Sequence, residues 1–169
     1  MTDYAADIMY DIRKFLWQNL TASGIFKATD YYADNINADL IPILPVQQSP
    51  ELSQFLSGKK HIVYDKVGLS HEDNWVITCE QVAFTIYTTD YAEINQIRNL
   101  MTDLFRRMDE SATDMNRWTG ISNKFKIYSI FIADISPTGP SEELKGFLST
   151  EIILEIKYSR HVNTNGRFI

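Results

Sequence analysis

The chain has 169 residues, 44% of them apolar and 22% charged, which is the balance of an ordinary globular domain and excludes wholesale disorder. Sixteen basic against 22 acidic side chains give a net charge of −6, which argues against a protein that neutralises duplex phosphates over a broad face. A repelling wall around a passage for DNA remains compatible with that charge.

One cysteine, Cys79, excludes an intramolecular disulfide and suits a reducing compartment. No apolar run reaches the ~20 residues of a membrane helix, and the first residues are acidic where a signal peptide is basic. A soluble protein made in the cytoplasm is expected.

Residues 3–20 carry the stripe Ile8, Ile12, Phe15, Leu16 and Leu20 of an amphipathic helix. Thr2 or Asp3 is the expected cap, and Gly24 lies past the end. Trp17 and Met9 sit off the stripe, where they either widen the core face or meet another molecule. Three of the five prolines fall in the next stretch. Pro42 and Pro45 predict extended chain or an edge segment, because proline has no N–H to give to a ladder. Ser49 and Pro50 read as the start of a short helix that Gly58 ends.

Residues 61–67 and 75–88 read as two strands paired in a hairpin, with Val82, Phe84 and Ile86 on the core side. Residues 91–110 form the clearest helix, with Ile94, Ile97, Met101, Leu104, Phe105 and Met108 along one face. Asp90 is its expected N-cap and Glu93 completes the pattern of a capping box. Residues 110–123 read as a loop or a frayed helical extension.

Residues 125–135 predict a strand with Phe125, Ile127, Phe131 and Ile135 on one side and Tyr128, Ile130 and Ile132 on the other. Residues 150–160 predict a last strand in which Ile152, Leu154, Ile156 and Tyr158 alternate with Glu151, Ile153, Glu155 and Lys157. The expected class is α+β: an antiparallel sheet of about four strands against two main amphipathic helices, in the order α-β-β-α-β-β. One domain over residues 1–160, with a long loop at 136–149, is followed by a mobile tail at 161–169.

No phosphate-cradling glycine loop, zinc-protease motif or nucleophile elbow occurs, so no catalytic residue, cofactor or metal is assigned. His71, Glu72 and Asp73 are adjacent, so they point in different directions and read as a solvated loop. His61 and His161 flank strands and read as surface or interface residues. Lys59-Lys60 and Arg106-Arg107 read first as solubility and helix-end charge, with an interface salt bridge as the functional alternative. Nine tyrosines and a sheet face left without helices point to self-association. The interface residues expected on exposure and charge are Tyr87, Arg106, Arg107, Glu142, Glu143 and Lys145.

A wider pattern runs through the chain. The helix DIMYDIRKFLWQNL leads to a proline-containing stretch and then to HIVYDKV. The strand WVITCEQVAFTIYTTD runs straight into the helix YAEINQIRNLMTDLFRRMD, and the strands KFKIYSIFIADI and STEIILEIKYSR follow. This order and these lengths, over residues 3–160, resemble the tail terminator and tail-completion (neck) proteins of long-tailed bacteriophages, particularly myoviruses. The strand–Thr-Thr-Asp–helix passage at 82–108 carries the resemblance best.

The resemblance implies a virion protein of the tail and neck, made in the host cytoplasm. It would form a homo-oligomeric ring, hexameric in the family, that caps the tail tube and meets the neck proteins of the head. The tail sheath is a further partner, and DNA passes through without specific binding. The loop 136–149 and the tail 161–169 match no motif of the family. Alternatives are a head–tail connector of similar fold, a cytoplasmic small-ligand or peptide-binding module, and an enzyme built on the His71 region.

Overall fold

The structure is a computed structural model and describes residues 7–31, 41–46, 56, 58–71, 77–122 and 124–160, with nothing said of the side chains of Ser70 and His71. The first helix, α1 (Ile8–Ala22), starts later than expected. Asp7 is its N-cap, and its side chain accepts from Met9 N at 2.9 Å. Thr2 and Asp3 lie outside the described residues, as do Ser49 and Pro50. The predicted stripe is buried, and Met9 and Trp17 are buried with it. The indole of Trp17 meets Phe26 and Tyr31 edge-on, at 5.5 and 5.8 Å between ring centroids. These two residues therefore widen the core face.

Six strands form one sheet: β1 (Ile43–Pro45), β2 (His61–His71), β3 (Thr78–Thr88), β4 (Phe125–Ile135), β5 (Gly139–Pro140) and β6 (Leu148–Arg160). Two more helices, α2 (Tyr91–Phe105) and α3 (Asp109–Arg117), lie between β3 and β4. The spatial order is β1-β2-β3-β6-β4, with β5 also on β6. The α+β class holds. The expected four antiparallel strands and two helices become a mixed sheet of six strands and three α-helices among the described residues, in the order α-β-β-β-α-α-β-β-β.

The extra strands have local causes. β1 is parallel to β2. Pro42 gives no donor, but its carbonyl accepts from Ile62 N at 2.9 Å, so the segment pairs from the sheet edge where proline is tolerated. β5 lies inside the predicted loop. Gly139 and Pro140 pair with Ser149 and Leu148, so much of 136–149 is the far end of a long hairpin with β6.

The predicted helix 91–110 is broken. The Asp90 carboxylate caps Ala92 N at 2.9 Å, but Glu93 does not return to Asp90. It accepts from Thr88 Oγ1 at 2.9 Å and pairs with Lys60 Nζ at 3.1 Å, while Asp90 N donates to Thr88 Oγ1. At the other end the chain turns at 106–108, where Met108 adopts φ 44°, and α3 begins. Ile94, Ile97, Met101 and Phe105 are fully buried. Met108, expected on that face, is 49% exposed because the turn takes it off the helix axis.

β4 departs from strict alternation. The register shifts at Ile127/Ser129 and again at Ile132/Asp134. Each bulge inserts one residue and switches the faces. The core side of β4 is therefore Phe125, Ile127, Ile130 and Ile132: Phe131, expected beside Phe125 and Ile127, leaves it, and Ile130 and Ile132, expected on the other side with Tyr128, join it. In β3 and β6 the predicted alternation holds: Val82, Phe84 and Ile86 lie across from Leu154, Ile152 and Thr150.

α1 and α2 cover this core side, and α3 runs along the outer edge of β4. α1 is tied to the sheet edge by Arg13 Nε donating to Ile43 O and by the Lys66–Asp7 ion pair. No helix of the described residues is long and apolar enough to cross a membrane.

Candidate functional site

The side of the sheet away from the helices carries Val63 and Asp65 of β2, Gln81, Ala83, Thr85 and Tyr87 of β3, and Glu151, Ile153 and Glu155 of β6, as the registers require. One end of this side is covered. The connection between β5 and β6, residues 141–147, folds over it and is held at two points. Tyr87 Oη donates to Glu143 Oε2 at 2.7 Å. The ring of Phe147 meets His61 edge-on at 6.2 Å, and His61 itself stacks on Tyr87 at 5.2 Å between centroids.

The local sequence explains the clasp. His61 and Tyr87 are register partners in the β2–β3 ladder, so their rings fall side by side. Within the connection, Ser141 N donates to Phe147 O and Leu144 N to Ser141 Oγ, which closes the chain into a compact tip.

Burial sets the protonation of these groups. His61 Nδ1 lies 2.8 Å from Lys59 O, an acceptor, so this nitrogen carries the proton in the neutral ring. Burial lowers the pKa of His61, and the bond to the Lys59 carbonyl opposes that only in part. Burial pushes the Tyr87 phenol up, and its bond to Glu143 adds to the rise, so it stays a neutral donor.

Two clefts flank the clasp. The first, about 370 Å³, has an apolar floor of Val46, Leu56, Val63, Leu144 and Phe147, with His61, Tyr87, Glu143 and Lys145 around it. The second, about 340 Å³, is polar and brings Glu142, Glu143 and Glu151 together beside Thr85. Tyr87 thus holds the Glu143 carboxylate at the edge of an apolar floor.

Four of the six expected interface residues meet here: Tyr87, Glu142, Glu143 and Lys145. Arg106 and Arg107 do not join them. They lie in the turn between α2 and α3, where Arg107 is held at 3.0 Å by both Glu110 and Asp114. Sequence reasoning missed the part of His61 in the clasp, although its place opposite Tyr87 follows once the hairpin register is known. Met108, expected on the buried face of the helix, is exposed by the helix break and lies apart from this tip.

The remaining chemical groups fall elsewhere. Glu72, Asp73 and His161 lie outside the described residues, and His71 ends β2. Among the described residues no group of His, Cys, Asp and Glu is placed to hold a metal ion. Cys79 is half-buried in β3, and its Sγ donates to Glu155 Oε1 at 3.2 Å.

No protein-family model matches this chain, and no curated protein matches it. The assignment of function therefore depends on the geometry and on the pattern of elements.

Proposed function

We propose that the protein is a structural subunit of a long-tailed phage virion, which assembles as a ring on the end of the tail tube and joins it to the neck around the DNA channel. The observation that carries this reading is the one-sided sheet. Helices cover one side, while the other ends in a clasped tip with an apolar cleft, ready for a macromolecular partner. The passage in which β3 runs through Thr88, Thr89 and Asp90 directly into α2 supports the same reading, because it is the best part of the resemblance.

In this reading the ring needs no catalytic residue or cofactor. Its partners are further copies of itself, the tube protein, the neck proteins and the sheath, and its acidity keeps the passing DNA from sticking. A connector one layer closer to the head is the neighbouring alternative.

The test is electron microscopy of tail tubes mixed with the purified protein. A ring at one tube end with growth arrested is the expected outcome. Bare ends at saturating protein sink the proposal. The cleft beside His61 favours one other reading, a small-ligand or peptide-binding module, which bare tube ends together with a saturable ligand would establish.

A further inference from the structure

The cleft at the hairpin tip holds a group that the described fold leaves unused. His61 is only 6% exposed, and its Nδ1 donates to Lys59 O. Burial keeps the ring neutral near pH 7, so Nε2 is an acceptor. This nitrogen has no hydrogen-bond partner among the described residues, and the ring lines the cleft. A polar group in a ring this buried is normally matched. A second acceptor lines the same cleft, because Tyr87 takes Oε2 of Glu143 and leaves Oε1.

Lys145 lines the cleft too, so its rim carries both signs and net charge selects no occupant. What selects one is a pair of acceptors over an apolar floor that includes Val63, Leu144 and Phe147. The occupant has to bring several hydrogen-bond donors next to apolar side chains. Arginine has five donors and no acceptor.

The chain itself contains such a segment. Residues 161–169 follow β6 and include Arg167, Phe168 and Ile169 in a row. They lie outside the described residues, and no other stretch outside the described residues contains a lysine or an arginine.

A cleft cannot receive this segment from its own chain. Ser149 of β6 is level with Tyr87 at the cleft, and Arg160 is the far end of the same strand. The eleven residue steps from Ser149 to Arg160 span about 36 Å. Arg167 reaches at most about 25 Å from Arg160 at full extension, and Ile169 about 32 Å. The segment has to come from another copy.

We infer that residues 167–169 of one copy seat in the hairpin-tip cleft of the next, with the Arg167 guanidinium donating to Glu143 and to His61 Nε2 and with Phe168 and Ile169 on the apolar floor. The segment past β6 and the cleft at the tip are different patches, so the contact is heterologous and closes into a ring or runs on as a filament. The inference names the subunit contact of the proposed ring and rests on that reading only for its closure.

Sedimentation velocity over a concentration series reads self-association, and microscopy of tail tubes mixed with the full chain reads capping, so the two can fail independently. Arg167→Glu and Phe168→Asp are each expected to weaken self-association at least tenfold, with thermal unfolding at the lowest concentration unchanged. Glu143→Arg is expected to weaken it likewise, and Glu143→Arg with Arg167→Glu to restore it. In a Cys79→Ser background, Leu144→Cys with Phe168→Cys is expected to give disulfide-linked dimers and longer ladders on oxidation. Where wild type assembles only at tube ends, the same variants are read there as lost or restored rings. Arg167→Glu and Phe168→Asp assembling like wild type overturn the contact and leave the ring. So does a disulfide that forms only within single chains, or none between assembled copies. Wild type that self-associates through 167–169 but leaves tube ends bare sinks the tube-end function and keeps the contact. A wild type that is monomeric in solution and leaves tube ends bare overturns both.

Discussion

The side chain of Asn116 closes on the backbone of Ile127 from both sides: Nδ2 donates to Ile127 O at 2.7 Å, and Oδ1 accepts from Ile127 N at 3.1 Å. A side-chain amide thus takes the place of a neighbouring strand on the outer edge of β4. The same edge is blunted further along, where Met108 O takes Ile130 N and Asp134 Oδ1 takes Ile135 N at 2.9 Å. Two bulges add twist. An open edge pairs with any passing strand, and these devices prevent that. Asn116→Leu keeps the volume and loses both bonds. It is expected to cost about 1–3 kcal/mol in urea unfolding and to raise light scattering on standing. Wild-type stability and no scattering would show that the edge needs no guard.

Asp11 is a carboxylate with no exposure, on the polar arc of α1. Its two oxygens accept from Ser122 N at 3.0 Å and Ser122 Oγ at 2.8 Å, and so pin the chain entering β4 to the first helix. Asp11→Ala leaves a buried N–H without its partner. The expected loss is about 2–3 kcal/mol, the scale of hydrogen bonds to a charged group. Asp11→Asn retains an acceptor and is expected to lose less. Equal unfolding midpoints for Asp11→Ala and wild type would contradict this account.

His61 predicts a pH dependence. Its folded-state pKa lies below the 6.5 of an unperturbed histidine, with burial as the main cause. Above pH 6.5 the ring is neutral in both states and the full stability is present. As pH falls through 6.5, the unfolded chain takes up a proton that the folded chain refuses, so stability drops until the folded-state value is passed. The slope from this one group is no steeper than about 1.4 kcal/mol per pH unit. His61→Phe keeps a ring against Tyr87 and is expected to flatten the slope below pH 6.5. An unchanged slope in that variant would assign the effect to other groups.

Tyr87→Phe removes the bond to Glu143 and leaves the stacked ring. Global stability is expected to change by less than about 1.5 kcal/mol. The readout is local: amides of residues 141–147 should exchange with deuterium faster, and those of β3 should not. Unchanged protection of the tip would mean that Phe147 and the internal bonds hold it alone.

Much of the fold is legible in the residues. α1, α2, β3 and β6 repeat their apolar positions at the helical or strand period, and each buries most of the stripe so marked, with Met108 the exception on α2's predicted face. The misreadings share a cause. Alternation in β4 is broken by Tyr128 and Ala133, and a bulge carries no residue type that marks it. The stop in α2 comes at Arg106–Met108, three residues with no glycine or proline to announce a turn. β5 is two residues long and pairs only because β6 passes it. Four of the six residues expected at an interface gather at the hairpin tip, because β-ladder register brings Tyr87 beside the 141–147 connection. The arginines belong to a corner that the helix break creates.

β6 is the last described element of the chain, yet it lies between β3 and β4 and pairs with β5 as well. A chain emerging from the ribosome therefore makes the β2–β3 hairpin, both middle helices and β4 before the strand that joins them exists. Until residues 148–160 are released, Val82, Phe84 and Ile86 have no neighbour on that side and the core stays open to water. Such distant pairing makes for slow closure. A nascent chain cut short before β6 is left with unpaired strands and exposed apolar surface, the state that chaperones and proteases recognise. The placement of this strand works as a check that only chains complete through β6 reach the folded state.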